Sequence, residues 1–223
     1  MTDTPITKEQ DNVATAAVRL EWITPEPEKA LVRMARVSNP ANQDNENIEG
    51  LLRHCYRNNH WSVFEMVQMC LEIKTSRAIG RQLLRHWSFR WQEFSQRYAK
   101  VIAWEAIHPR AQSTTNRQAS TDTLDADTKT WFYQQTEVIQ DMVTELYSEA
   151  LDRGVAKESA RFWLPEMAST TMYATANVRS WIHWINLRCD PEQQAQLEHV
   201  EIARAARTIL VSHCPTLDGL MPH

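Results

Sequence analysis

From Arg85 to Tyr98 the chain reads Arg-His-Trp-Ser-Phe-Arg-Trp-Gln-Glu-Phe-Ser-Gln-Arg-Tyr, a concentration of cations, hydrogen-bonding groups and aromatic rings. A guanidinium grips phosphate or carbonyl oxygens with a planar fork and also stacks on rings, so this mixture suits a nucleotide. Upstream, Arg77, Arg81 and Arg85 recur every four residues. On a helix they share one face, where like charges repel, so an anionic counterpart is expected. From Thr75 to Tyr98 there are five Arg and a single acid, Glu93, in a chain of formal net charge -4. The positive charge is therefore focused, and 18 Arg against 6 Lys favour planar, bidentate recognition.

Each residue also has a plainer reading. Glu93 can form an internal ion pair with Arg90 or Arg97. Ser95 has neither a Gly-x-Ser-x-Gly elbow nor a clear His-Asp partnership, so it reads as a phosphate donor rather than a nucleophile. Arg188 fits the end of a helix, where a cation suits the dipole. Trp181 and Trp184, three apart, read as packing. His54, Cys55 and His60 are the nearest approach to a metal cluster but lack ligand spacing elsewhere, so no metal is expected.

At 223 residues the chain reads as one domain with a substantial core, preceded by a flexible tail over residues 1–16 and extending over 17–223. Its 43% hydrophobic and 23% charged residues are ordinary for a globular protein, and no apolar run approaches the roughly 20 residues of a membrane span. Met1 to Asn12 lacks the apolar core of a signal peptide, so a cytoplasmic protein is expected. Cys55, Cys70, Cys189 and Cys214 show no Cys-x-x-Cys spacing, which fits free thiols in a reducing compartment. With four Gly, none grouped into Gly-x-Gly-x-x-Gly or a phosphate loop, a doubly wound dinucleotide domain or a nucleotide triphosphatase is disfavoured. The acidic total also disfavours a single-stranded nucleic-acid binder built on the Arg and aromatic run.

Several elements must position these residues. Ala17 to Ile23 alternates as a strand ending before Pro25, and Glu28 to Val37 has helical spacing. A second helix runs through Ile48, Leu51, Leu52 and Cys55 to Asn58-Asn59-His60. Val63, Val67, Met69, Leu71 and Ile73 alternate with polar residues as a half-buried strand, after which a helix carrying the Arg series starts near Ser76. Gln112 to Lys129 reads as a long loop. An amphipathic helix follows through Phe132, Val138, Ile139, Met142, Leu146 and Ala150, closing at Gly154. A short helix stops at Pro165, Ala168 to Ala176 reads as a strand, and Asn177 to Leu187 returns to helical spacing. Asp190-Pro191-Glu192-Gln193 has the chemistry of a helix start, and that helix is expected to reach about His213. The order implies an α+β fold, with helices packed around a small central antiparallel sheet.

The Arg85 to Tyr98 run resembles the signature of the flavin-dependent thymidylate synthases, Arg-His-Arg, a spacer, then Asn/Gln-Glu-x-Ser-x-Arg-Tyr. His60-Trp61-Ser62-Val63-Phe64-Glu65 is similar to the family's His-x-Ser/Thr-x-Phe-Glu element, and Ala35-Arg36-Val37-Ser38 to its early Ala-Arg-Val-Ser. Arg161-Phe162-Trp163-Leu164-Pro165, Asn177-Val178-Arg179-Ser180, Leu187-Arg188 and Ala195-Gln196-Leu197-Glu198 follow in the family's order. The resemblance covers residues 17–217. It departs at Trp87, which replaces the third residue of Arg-His-Arg, at Arg90, which stands where a small hydroxylated residue is usual, and at His183, where an amide is common.

The resemblance implies FAD-dependent methylation of deoxyuridylate (dUMP) to deoxythymidylate, with methylenetetrahydrofolate and NADPH as co-substrates, in a homotetramer with shared sites. It assigns dUMP to Gln82, Leu83, Leu84, Arg85, Glu93 and Phe94, and also to Ser95, Gln96, Arg97, Arg161 and Arg188. Ser95, Arg97 and Arg161 fit the phosphate, and Arg188 the chemistry at the ring. FAD falls to Ser38, His60, Ser62, Arg85, His86 and Trp87, together with Ser88, Glu93, Asn177, Val178, Arg179 and His183. A related enzyme that modifies dUMP differently at C5, such as a hydroxymethylase, and an inactive nucleotide-binding relative are the alternatives.

Overall fold

Alternation of apolar and polar residues builds the centre of the molecule. In the computed structural model, which describes residues 13–14, 17–43, 45–100, 103–191 and 194–222, strand β1 is Val13–Ala14 and β2 is Ala17–Ile23. A register shift between Leu20 and Trp22 turns Trp22 outward, 48% exposed, while Val18, Leu20 and Ile23 pack on the core. Most of the tail expected over 1–16 lies outside the described residues; β1, at its end, pairs in parallel with Trp104–Glu105.

Helix α1 is Pro27–Ala35, with Pro at its first turn, and α2 is Ile48–Arg57, where Asn47 accepts a hydrogen bond from the Gly50 amide. The strand expected to include Val63 begins later. Trp61–Glu65 is a 3-10 turn that buries Phe64, and β3 is Gln68–Ser76. An apolar residue in a buried turn fits an alternating pattern by coincidence. Helix α3 is Arg77–Leu83, β4 Arg90–Glu93 and β5 Trp104–Glu105. The long loop contains a small hairpin, β6 Ala111–Gln112 with β7 Ser120–Thr121. Its last residues already belong to α4, Ala126–Asp152, because Asp125 caps the Thr128 amide at 2.7 Å. Gly154, at φ 86°, takes the left-handed position after that helix.

Beyond lie α5 Lys157–Ala160, a 3-10 turn over Arg161–Trp163, β8 Ser169–Asn177 and α6 Val178–Cys189. The final helix, α7, is Leu197–His213 and does not start at Asp190. Asp190 instead ends α6, and Gln194 takes a positive φ of 47°, so the chain turns before α7 begins. Glu192 and Gln193, part of the expected helix start, lie outside the described residues.

The main sheet has the order β2-β3-β8-β4 and every neighbouring pair is antiparallel. Met69, Leu71 and Ile73 from β3 and Met172, Ala174 and Ala176 from β8 point to one side. There α6 lies across them, its Trp181 indole donating to the Met69 carbonyl at 3.1 Å. Leu31, Leu52, Phe64, Trp184 and Leu210 join the same core, where full burial of each apolar side chain contributes about 1.5–3 kcal/mol. The fold is thus α+β, with helices around a small antiparallel sheet.

Candidate active site

The Arg-rich helix is tied to the sheet at its start and its middle. Ser76 ends β3 and caps α3, and Gly80 lets that helix approach β8 closely, since a Cβ there would stand 3.2 Å from Met172 Sδ. Two of the three aligned cations meet the protein's own carboxylates. Arg77 Nη1 is 2.8 Å from Glu93 Oε1, and Arg81 lies 2.7 Å from Glu166. Glu93 therefore pairs with Arg77, not with Arg90 or Arg97, and the Thr170 hydroxyl donates to the same oxygen at 3.0 Å. Arg85 forms no ion pair among the described residues.

After α3 the signature turns on Phe89. This buried ring meets Trp181 edge-on at 4.6 Å and stacks on Trp91 at 5.4 Å, anchoring the loop. Arg90 ties the loop from outside, donating to the carbonyls of Trp87 and Phe89 at 3.4 and 3.3 Å. Trp87 is left 91% exposed.

Arg188, near the end of α6, points back to this loop. Its Nη2 is 2.8 Å from His86 Nε2, while its buried Nε has no hydrogen-bond partner among the described residues. Burial first, then the Arg85 charge, pull its pKa below the ordinary value. Burial pushes His86 down to about 4, aided by Arg188, His183 and Arg85. A second ring, His199 on α7, is wholly buried 6.0 Å from His86 and is pushed down to about 3, again mainly by burial. Both imidazoles are therefore neutral near pH 7, and Arg188 is a cation beside them with no carboxylate partner among the described residues.

A separate cleft of about 490 Å³ opens between the 3-10 turn at Trp61, the signature loop and the start of α6. Trp61, Glu65, Ser88, Asn177, Arg179, His183 and Asn186 line it. The Asn177 side chain caps α6 by accepting from the Ser180 amide at 2.9 Å, and Arg179 is ion-paired with Glu65 across the cleft. An aromatic wall, amide and hydroxyl groups and a cation form a donor set suited to a group with rings and phosphates.

The other expected residues fall in several places. Ser95 is exposed; Arg97 is held 3.0 Å from Glu158, three residues before Arg161, which is half-buried. Phe94 is partly exposed, and its amide donates to the Thr171 carbonyl at 2.9 Å. Gln96 is buried and its Nε2 has no partner among the described residues. Leu83 is wholly in the core, whereas Leu84 is exposed, and Val178, the first residue of α6, is buried. Ser38, His60 and Ser62 are exposed and do not line the cleft, although Trp61 beside them does.

Gln82, His199, Gln196 and Trp184 form a hydrogen-bonded group next to Arg188 that sequence reasoning missed in part. Trp184 was read only as packing, and His199 carried no signal beyond being one polar residue in an apolar helix face. Glu65 and Asn186 at the cleft were likewise not singled out.

Comparison with known proteins shows the family and the fold. The family model described as "Thymidylate synthase complementing protein" matches residues 19–216. A flavin-dependent thymidylate synthase of Synechocystis sp. is 49% identical over 191 residues, covering 86% of this chain and 87% of that protein. A probable flavin-dependent thymidylate synthase of Paramecium bursaria Chlorella virus 1 is 45% identical over 192 residues, covering 85% and 88%. The fold is similar to that of a UMP/dUMP methylase from Streptomyces cacaoi, solved with 5-Br dUMP, with a TM-score of 0.80 at 24% identity over 93% of this chain and 96% of that one. The chain belongs to the flavin-dependent thymidylate synthase family.

Proposed function

We infer that this chain makes deoxythymidylate from dUMP, taking carbon from methylenetetrahydrofolate and reducing equivalents ultimately from NADPH. One observation carries the assignment of residues: Arg188 is a half-buried cation with no carboxylate partner among the described residues, held beside a neutral His86. C5 of a uracil ring is a poor nucleophile until the ring is polarised toward an enolate-like state. A preorganised cation at the ring carbonyl and N3 favours that charge in a site shielded from water. Arg188 takes this role. Gln82, Arg85 and the Glu93 segment present donors to the nucleotide, with Ser95, Arg97 and Arg161 at its phosphate.

Ser88, Asn177, Arg179 and His183, which meet in one cleft, would hold FAD, with His86 at the border between cleft and nucleotide. Bound flavin supplies the hydride. Trp87, Ser38, His60 and Ser62, which have no place in the cleft of a single chain, belong to sites completed by other copies in a homotetramer. Exposed apolar residues of α4, among them Val138, Ile139 and Met142, support that assembly. The buried free thiols suit a cytoplasmic setting.

Purified protein incubated with dUMP, methylenetetrahydrofolate, NADPH and FAD is expected to yield deoxythymidylate by mass analysis. A hydroxymethylated nucleotide would reassign the one-carbon chemistry, and no conversion together with no flavin absorbance would overturn the reading.

A further inference from the structure

Among the described residues, a directed chain of hydrogen bonds runs from the core to Gln82. Trp184 Nε1, buried at 2% exposure, lies 3.3 Å from His199 Nε2. An indole nitrogen only donates, so His199 Nε2 accepts, and a neutral imidazole then carries its hydrogen on Nδ1. That nitrogen lies 3.3 Å from Gln82 Oε1, which must accept. The other end of the same amide, Gln82 Nε2, donates to Gln196 Oε1 at 2.6 Å. One unambiguous donor, the indole, therefore sets the direction of every bond in the chain.

The environment excludes the alternative in which His199 is charged. The ring is wholly buried, 6.0 Å from the His86 ring, with Arg188 adding positive charge nearby. A second proton would leave the ring facing a donor at Nε2 and the like charge of Arg188, at the full cost of desolvation. His199 thus stays neutral as one tautomer, and the half-exposed Gln82 shows its carbonyl and amide groups in one orientation.

We infer that His199 is a positioning residue for the reaction: through its Nδ1 hydrogen it locks the orientation of the Gln82 amide, so that a donor and an acceptor meet the incoming dUMP without reordering. Without the lock the amide is free to flip, and binding must select one of two orientations. This rests on Gln82 contacting the nucleotide, as proposed above.

The test measures dUMP dissociation constants by calorimetry on the flavin-loaded enzyme. His199→Leu keeps the ring's approximate volume but removes the donor, and should weaken binding about five- to tenfold, the scale of one ordinary hydrogen bond. His199→Asn places an amide N–H near the position of Nδ1 and should restore affinity to within about twofold of the parent. In the pair, His199→Leu with Gln82→Leu should bind no worse than Gln82→Leu alone, because the lock acts only through that amide. If His199→Leu fails to fold, Trp184→Phe decides instead: it removes the donor that fixes the tautomer and should weaken binding severalfold, with no added loss on Gln82→Leu. Additive losses in the double variant, or unchanged binding in the donor-deleted variant that folds, would overturn the inference. If Gln82→Leu itself binds dUMP normally, the assignment of Gln82 to the nucleotide fails and takes this inference with it.

Discussion

Arg188 Nη2 and His86 Nε2 stand 2.8 Å apart, and because a guanidinium has no acceptor the imidazole must accept. The contact therefore orients the cation without neutralising it. A carboxylate in the same place would have spent the charge of Arg188 within the protein. With neutral His86, the positive charge remains available for an anion that develops on a ligand.

This relation separates two kinds of Arg. Arg188→Ala is expected to lower kcat by on the order of a hundredfold or more, as when one preorganised donor is removed, with a smaller effect on dUMP affinity. Arg97→Ala, which removes an exposed cation paired with Glu158, should act mainly on the apparent affinity for dUMP, since a phosphate contact is common to ground and transition states. Steady-state kinetics at saturating flavin gives both values. Equal losses confined to affinity would remove Arg188 from the chemistry.

The two imidazoles also predict a pH dependence of stability. His86 and His199 titrate at about 4 and about 3 in the folded chain, below the ordinary value of 6.5, so the unfolded chain binds more protons as the pH falls. Their neutral forms are compatible with folding above about pH 6.5, and stability should decline progressively from there toward pH 4 and below. The groups facing them are Arg85, Arg188 and His183, all cations or potential cations. Melting curves at pH 7.5 and pH 5 should show a smaller drop for His199→Asn than for the parent. An equal drop would show that this ring does not contribute.

Trp87 is a direct test of how far the signature departs from its relatives. At 91% exposure Trp87 lies outside the core of the described residues, so Trp87→Ala should leave the melting temperature within about a degree or two, as for an exposed position. Binding should respond instead: flavin affinity is expected to fall in Trp87→Ala and to persist in Trp87→Arg, which restores the family's usual cation. Fluorescence titration of FAD into each variant measures this, and parent-like binding by Trp87→Ala would make the ring a bystander.

Much of this site was legible because its chemistry is concentrated in consecutive residues. The Arg85 to Tyr98 run, the Ser76 cap and the Asn177 cap are local features, and the structure places both caps where a strand ends and a helix starts. What escaped the sequence depends on chain reversal. Glu93 chose Arg77 rather than a neighbour because β4 runs back beside α3, and α7 begins only at Leu197, after Gln194 takes a positive φ. His199 acquires its role only when α7 brings it against Trp184 and Gln82, residues 15 and 117 positions away.

The long helix α4 supplies the remaining prediction. Of its 27 residues only Tyr147 and Ala150 are buried, leaving Val138, Ile139, Met142 and Leu146 between 44% and 56% exposed. These positions follow the spacing of one apolar helix face, so within a single chain the amphipathic pattern goes unused. If that face closes the proposed homotetramer, the double variant Ile139→Glu with Met142→Glu should dissociate it while the monomer stays folded, since neither side chain supports the core. Sedimentation velocity reads the assembly and circular dichroism the fold. Flavin affinity should fall together with assembly, because Trp87 and Ser38 would lose the neighbouring copy that completes their sites. A tetramer that survives both charges would place its interface elsewhere, and a monomer that keeps full flavin affinity would end the case for shared sites.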